Sequence, residues 1–105
     1  MVRVHIWLRR REDLSEEEFR AYWENNHAPI ARDGYRFLTG YVINAVTRVP
    51  EGQERPYDGV AELTWDDREG FSADMKSDAA RRATDDLGNF TSVGGLLFLE
   101  QTIVK

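Results

Sequence analysis

The stretch "VRVHIWLRRREDLSEEEF", Val2–Phe19, joins two periodicities and decides the fold. Val2, Val4, Ile6 and Leu8 alternate with Arg3, His5, Trp7 and Arg9, the period of two expected of a strand with one apolar side. A helix start follows directly. Ser15 is placed to cap, Glu18 stands three residues on as the return half of a capping box, and Leu14 and Phe19 are spaced as a hydrophobic staple. Glu16 and Glu17 suit the positive end of the helix dipole. The chain therefore opens as strand, short turn, helix.

Downstream, "FRAYWENNHAPIAR" (Phe19–Arg32) places Phe19, Tyr22, Trp23, Asn26, His27 and Ile30 on one helical stripe, which normally faces a core. The helix is expected to end near His27 or Ala28, because the residue before Pro29 avoids helical angles. A loop over residues 32–39 leads to "LTGYVINAVTRV", rich in β-branched residues and read as a second strand. After the polar "PEGQERPYDG" comes "GVAELTW" as a third strand. "DDREGFSADMKSDAARRATDDL" reads as helix, broken near Lys76–Asp78, with Phe71, Met75, Ala79 and Ala83 as its buried side. "GNFTSVGG" is expected as loop and "LLFLEQTIV" as the fourth strand.

The order is βαββαβ. It predicts an α+β, ferredoxin-like fold: an antiparallel sheet with two helices on one face, in a single domain spanning residues 1–105. The other face has no helix to cover it, yet the last strand is apolar on both sides: Leu97, Leu99 and Ile103 one way, Leu96, Phe98 and Val104 the other. Trp7 adds to the first strand's second side. A homodimer packed sheet against sheet, a dimeric α+β barrel, is the simplest cover.

Composition narrows the function. The net charge is −5, and the one basic run, Arg9–Arg11, makes no basic face, which argues against nucleic-acid or charged-membrane partners. With no cysteine there is no disulfide, thiolate nucleophile or cysteine-held metal. No apolar stretch has the length of a signal peptide core or membrane span, so a cytoplasmic location is the default expectation. The two histidines lack the spacing of a metal pair, and no motif holds a flavin or nicotinamide. No metal and no cofactor are expected.

His27 is the candidate for chemistry. Its ordinary pKa near 6.5 suits proton transfer at neutral pH; burial among aromatics and a helix C-terminus pull that value in opposite directions. A space-filling histidine bonded to a loop carbonyl is the alternative, and Asn26 has the same two readings. Asn44 interrupts a strand and can orient a substrate carbonyl or sit at a bulge. Asp58 in "PYDG" is a turn residue by pattern. His5 is read as interface packing, and Glu62 and Glu100 as inward carboxylates or solvated edges.

The segments "DLSEEEFRAYWENNHAPIAR", "GYVINAV" and "PYDGVAELTWDD" resemble the EthD family of small dimeric α+β-barrel proteins across nearly the whole chain. The resemblance implies a ferredoxin-like protomer paired through its sheet, with a pocket between sheet and helices. Similar barrels include polyketide cyclases and dehydratases, muconolactone isomerases and cofactor-free monooxygenases. His27 matches the proton-transferring histidine at the end of their first helix. Tyr22 and Trp23 match the aromatic pair, and Asp58 the Asp-Gly.

The leading expectation is a cofactor-independent lyase or dehydratase, isomerase or cyclase acting on a small aromatic or polyketide-like substrate. His27 and Asp58 are its catalytic pair, and Tyr22, Trp23, Asn26 and Asn44 its substrate-binding residues. Asp58 or Asn44 would orient the imidazole or polarise a carbonyl. The alternatives are a cofactor-free monooxygenase or accessory component of an oxidative pathway, and a non-catalytic protein that binds a small apolar ligand.

Overall fold

Alternation in the first segment produces strand β1, Val2–Arg10, in a computed structural model that describes all residues 1–105. β1 hydrogen-bonds antiparallel strands on both sides, β3 (Gly59–Trp65) and β4 (Thr91–Leu99). β2, Leu38–Ala45, pairs with the far side of β3. The sheet order is β2-β3-β1-β4, the four-stranded antiparallel arrangement of a ferredoxin-like α+β fold.

Each helical connection is in two pieces. The first runs as α1 (Glu16–Tyr22), a π-helical turn (Trp23–His27) and α2 (Ala28–Gly34). The capping box forms: Glu18 N–H donates to Ser15 Oγ at 3.1 Å, and Ser15 N–H donates to Glu18 Oε1 at 2.9 Å. The second runs as α3 (Arg68–Met75) and α4 (Asp78–Asp86), broken at Lys76–Ser77 as the sequence predicts. A short 3₁₀ turn, Leu87–Asn89, leads into β4.

Both connections lie on one side of the sheet. Val4, Leu8, Ala61, Leu63 and Trp65 from the strands meet Phe19, Trp23 and Phe90 in the core. Trp65 is tied in by polarity as well as packing. Its indole N–H donates to the buried Asp74 carboxylate at 2.7 Å, and the same carboxylate accepts the Phe37 N–H at 3.0 Å. The opposite face carries Arg3, His5, Trp7, Glu62, Val42 and Leu97, placed together by the register. No helix in the chain is long and apolar enough to cross a membrane.

Three expectations need correction. Pro29 does not end the first helix; it sits in the first turn of α2. The π turn makes room for it. Ala28 N–H bonds to the Trp23 carbonyl, five residues back, so the widened turn absorbs the missing donor and the bulk of the proline ring. Second, β4 begins before Gly94 and Gly95 and ends at Leu99, leaving Ile103 and Val104 exposed outside the sheet. The glycines belong inside the strand because neighbours lie on their backbone. A Cβ on Gly95 would sit 2.5 Å from the Trp7 indole nitrogen, and one on Gly94 2.8 Å from a Leu8 methyl. Third, β2 stops at Ala45, short of the predicted Val49.

Candidate functional site

The π turn sets the site. It keeps Trp23 and His27 on the sheet side and turns Asn26 outward, where its side chain is exposed. The inward reading of Asn26 is therefore overturned; a wider turn carries it off the stripe that ideal helical spacing gave it. His27 retains only 9% exposure and packs its ring on Phe90, with centroids 4.8 Å apart. Tyr22, one turn earlier, stacks on the same phenyl ring at 5.1 Å.

The imidazole is held by Asp86, the last residue of α4. His27 Nδ1 lies 2.8 Å from Asp86 Oδ2. The other carboxylate oxygen, Oδ1, accepts the Tyr22 hydroxyl at 2.6 Å and the Asn89 side-chain amide at 2.9 Å. Burial alone would raise the Asp86 pKa, but the hydrogen bonds from Tyr22, Asn89 and His27 together outweigh it and hold the carboxyl below its ordinary value. Asp86 is thus ionised at neutral pH and can only accept. His27 must place its proton on Nδ1. Burial pushes the His27 pKa down, against the opposing pull of Asp86, so the ring is neutral near pH 7. Its Nε2 keeps a lone pair and has no protein partner. The bond to Asp86, and burial after it, push the Tyr22 phenol up, so it stays a donor.

Of the residues expected at the site, Tyr22 and His27 are brought together and the rest are not. Trp23 is fully buried, donating its indole N–H to the Tyr41 hydroxyl at 3.2 Å; it is core and does not line a hollow. Asp58 does not orient the imidazole. Its carboxylate accepts the Arg10 N–H at 2.9 Å and faces the Arg10 and Arg55 guanidiniums at 3.7 and 3.6 Å, pinning the long loop before β3 to the end of β1. Asn44 is on the open face, donating to the Val60 carbonyl at 3.2 Å. The period of two that puts Tyr41 against the helices sends Asn44 to the other side, with the sheet between it and His27. His5 is also on that open face, 3.6 Å from Glu62.

The enclosed apolar pocket expected beside His27 is not formed. The space between sheet and π turn is filled by Phe19, Trp23 and Phe90, whose rings pack within 5.5 to 6.3 Å of one another. The principal surface recesses, about 330 to 620 Å³, are lined by other residues. His27 is instead reached at one edge, its side chain 11% exposed.

Asp86, Asn89 and Phe90 were not singled out from the sequence. One signal was present. The last turn of α4 ends on Asp85 and Asp86 with no basic residue, where the helix dipole disfavours carboxylates. An acid in that position calls for a partner elsewhere.

Strand order and layers define a ferredoxin-like α+β protein, with a buried histidine paired to a half-buried aspartate between two of its helices. The sequence of residues 11–94 matches the EthD domain model, and the chain belongs to the EthD family. An EthD family protein from Bacillus halodurans C-125 has the same fold at 22% identity, covering 97% of this chain and 100% of that one, with a TM-score of 0.78. An EthD-like protein from Ralstonia eutropha JMP134 is 19% identical, covers 99% of this chain and 94% of its own, and has a TM-score of 0.70. A dimeric ferredoxin-like protein of unknown function from Thermobifida fusca YX is 16% identical over 95% of this chain and 90% of its own, with a TM-score of 0.64. No curated protein matches the sequence.

Proposed function

We propose that this EthD protein is a cofactor-independent proton-transfer enzyme, a lyase or dehydratase, isomerase or cyclase, acting on a small aromatic or polyketide-like substrate. One observation carries the reading. An ionised Asp86 accepts a hydrogen bond from the Nδ1–H of a neutral His27, leaving Nε2 as an unpartnered base at the edge of the ring. Asp86 assumes the orienting role expected of Asp58 or Asn44, and Tyr22 fixes Asp86 in turn. The base removes a proton from a carbon acid or hydroxyl and returns it to the product or to a leaving hydroxyl. Tyr22, half-buried and stacked on the core ring of Phe90, is the aromatic side chain beside it that a substrate can reach. The working form is a homodimer joined through the open sheet face, as the exposed Val42, Val93 and Leu97 there require a cover. The dimeric relative from Thermobifida fusca supports the same assembly.

The test is turnover of a panel of aromatic polyketides and lactones, followed by mass spectrometry, for the wild type and His27→Ala. The variant should melt lower, having lost a buried ring and its bond to Asp86, yet stay folded by circular dichroism at the assay temperature and lose about 10²–10⁴-fold in rate. Undiminished turnover by the variant would refute the assignment. Running the panel anaerobically separates simple proton transfer, which continues, from cofactor-free oxygenation, which stops.

A further inference from the structure

A recess with a largely apolar lining lies far from His27. It is a cleft of about 540 Å³ between α3 and the β1–β4 pair, within the size range of small-ligand sites. Val2, Phe71 and Phe98 line it from the helix side with Arg68 for charge, while Arg3 and Leu99, register partners on the open face, border it only at the sheet's edge. His27 lies beyond the other end of β1, on the order of 25 Å away along a nine-residue strand. The two sites are separate, and neither reading rests on the other.

The wall is unusual for a free surface. Phe98 is 68% exposed, although it lies on the helix side of the sheet, opposite Val4. Phe71 meets it edge-on, with centroids 5.5 Å apart, and leaves the rest of the ring uncovered. The two guanidiniums differ. Arg3 is already joined to Glu62 across the strand pair. Arg68 has no ion-pair or hydrogen-bond partner, and it is the first residue of α3, at the positive end of the helix. The Asp67 carboxylate already caps that end, accepting the Gly70 N–H at 2.8 Å, and Glu69 stands in the same turn, so an incoming anion is held by the unpaired guanidinium and not by the dipole. A neutral apolar ligand would cover Phe98 but leave that charge unused.

We propose that this cleft binds a small flat ligand bearing one anionic group, an arene carboxylate or sulfonate, with its ring on Phe98 and its anion on Arg68. The probe is anilinonaphthalene sulfonate, which brightens on leaving water, titrated beside the uncharged phenylnaphthylamine. The wild type should bind the sulfonate at one saturable site per chain and more tightly than the neutral dye. Arg68→Gln should weaken the sulfonate about tenfold and leave the neutral dye unchanged. Phe98→Ser should weaken both, and His27→Ala neither. Circular dichroism melting confirms that each variant is folded. Absence of a saturable site, equal binding of the two dyes by the wild type, or sulfonate binding indifferent to Arg68→Gln would each overturn the proposal. Loss of binding in His27→Ala would also overturn it, by moving the dye to the other site.

Discussion

At the scale of single residues, the site turns on which partner His27 finds. Its downward-shifted pKa has a stability consequence whose sign is fixed. The unfolded chain takes up a proton near the ordinary value of 6.5, while the folded chain resists it to lower pH because burial penalises the imidazolium. The contribution is therefore full above about pH 6.5 and is lost as pH falls through the folded value. Asp86, held below its ordinary value, contributes in the same direction at more acid pH. Melting temperatures across pH 4 to 8 should fall on the acid side, and His27→Gln should flatten the upper part of that slope. A slope unchanged by the substitution would place the titrating group elsewhere. Nitrogen-15 shifts of the ring should report the Nδ1–H tautomer at pH 7.5, and Asp86→Asn should mix the tautomers without unfolding the protein. His27 was legible from its aromatic stripe and the family pattern. Asp86 was not, because its partner is 59 residues away in sequence and no local period links the ends of two helices.

At the scale of elements, strong local signals survived and boundaries set by tertiary contact did not. Ser15 and Glu18 announce the start of α1 because both halves of the capping box lie within four residues of chain. Ser15→Ala should cost about 1 kcal/mol in chemical denaturation, with no change in the slope of unfolding against denaturant. The π turn and the start of β4 have no such local code. Pro29 reads as a terminator until the wider turn gives it room, and Gly94–Gly95 read as a loop until Leu8 and Trp7 are seen against them. Gly59 couples these levels. A Cβ there would lie 2.3 Å from the Trp23 ring, which carries the π turn on its back. Gly59→Ala should therefore destabilise the fold by about 1–3 kcal/mol. It should also disturb the His27 ring resonances, since the indole can yield only by moving the segment that ends at His27. An alanine variant of wild-type stability would mean that the tryptophan relaxes locally and that the turn is not rigidly seated.

At the scale of the whole molecule, the question is what covers the open sheet face. Its central row runs Val42, Glu62, His5, Leu97 across all four strands in register. The ends of the row are apolar and more than half exposed, Val42 at 52% and Leu97 at 53%. The middle is polar but internally paired: Glu62 meets Arg3 on one side and His5 at 3.6 Å on the other. A face of this kind can be buried against its own copy without stranding a charge, because the carboxylate brings its cation with it. A stable pair needs about 1,200–2,000 Å² buried in total, and this face is the side of the sheet that the helices leave uncovered. Leu97→Arg places an unpaired guanidinium on the apolar end of the row, beside a protomer that already spends Arg3 on Glu62. Sedimentation velocity over a range of protein concentrations should show a dimer for the wild type and a folded monomer for the variant. A wild type that sediments as a monomer at tens of micromolar would remove the sheet-to-sheet assembly. A variant that remains dimeric would move the interface to another face, and with it the account of why Val42 and Leu97 are apolar.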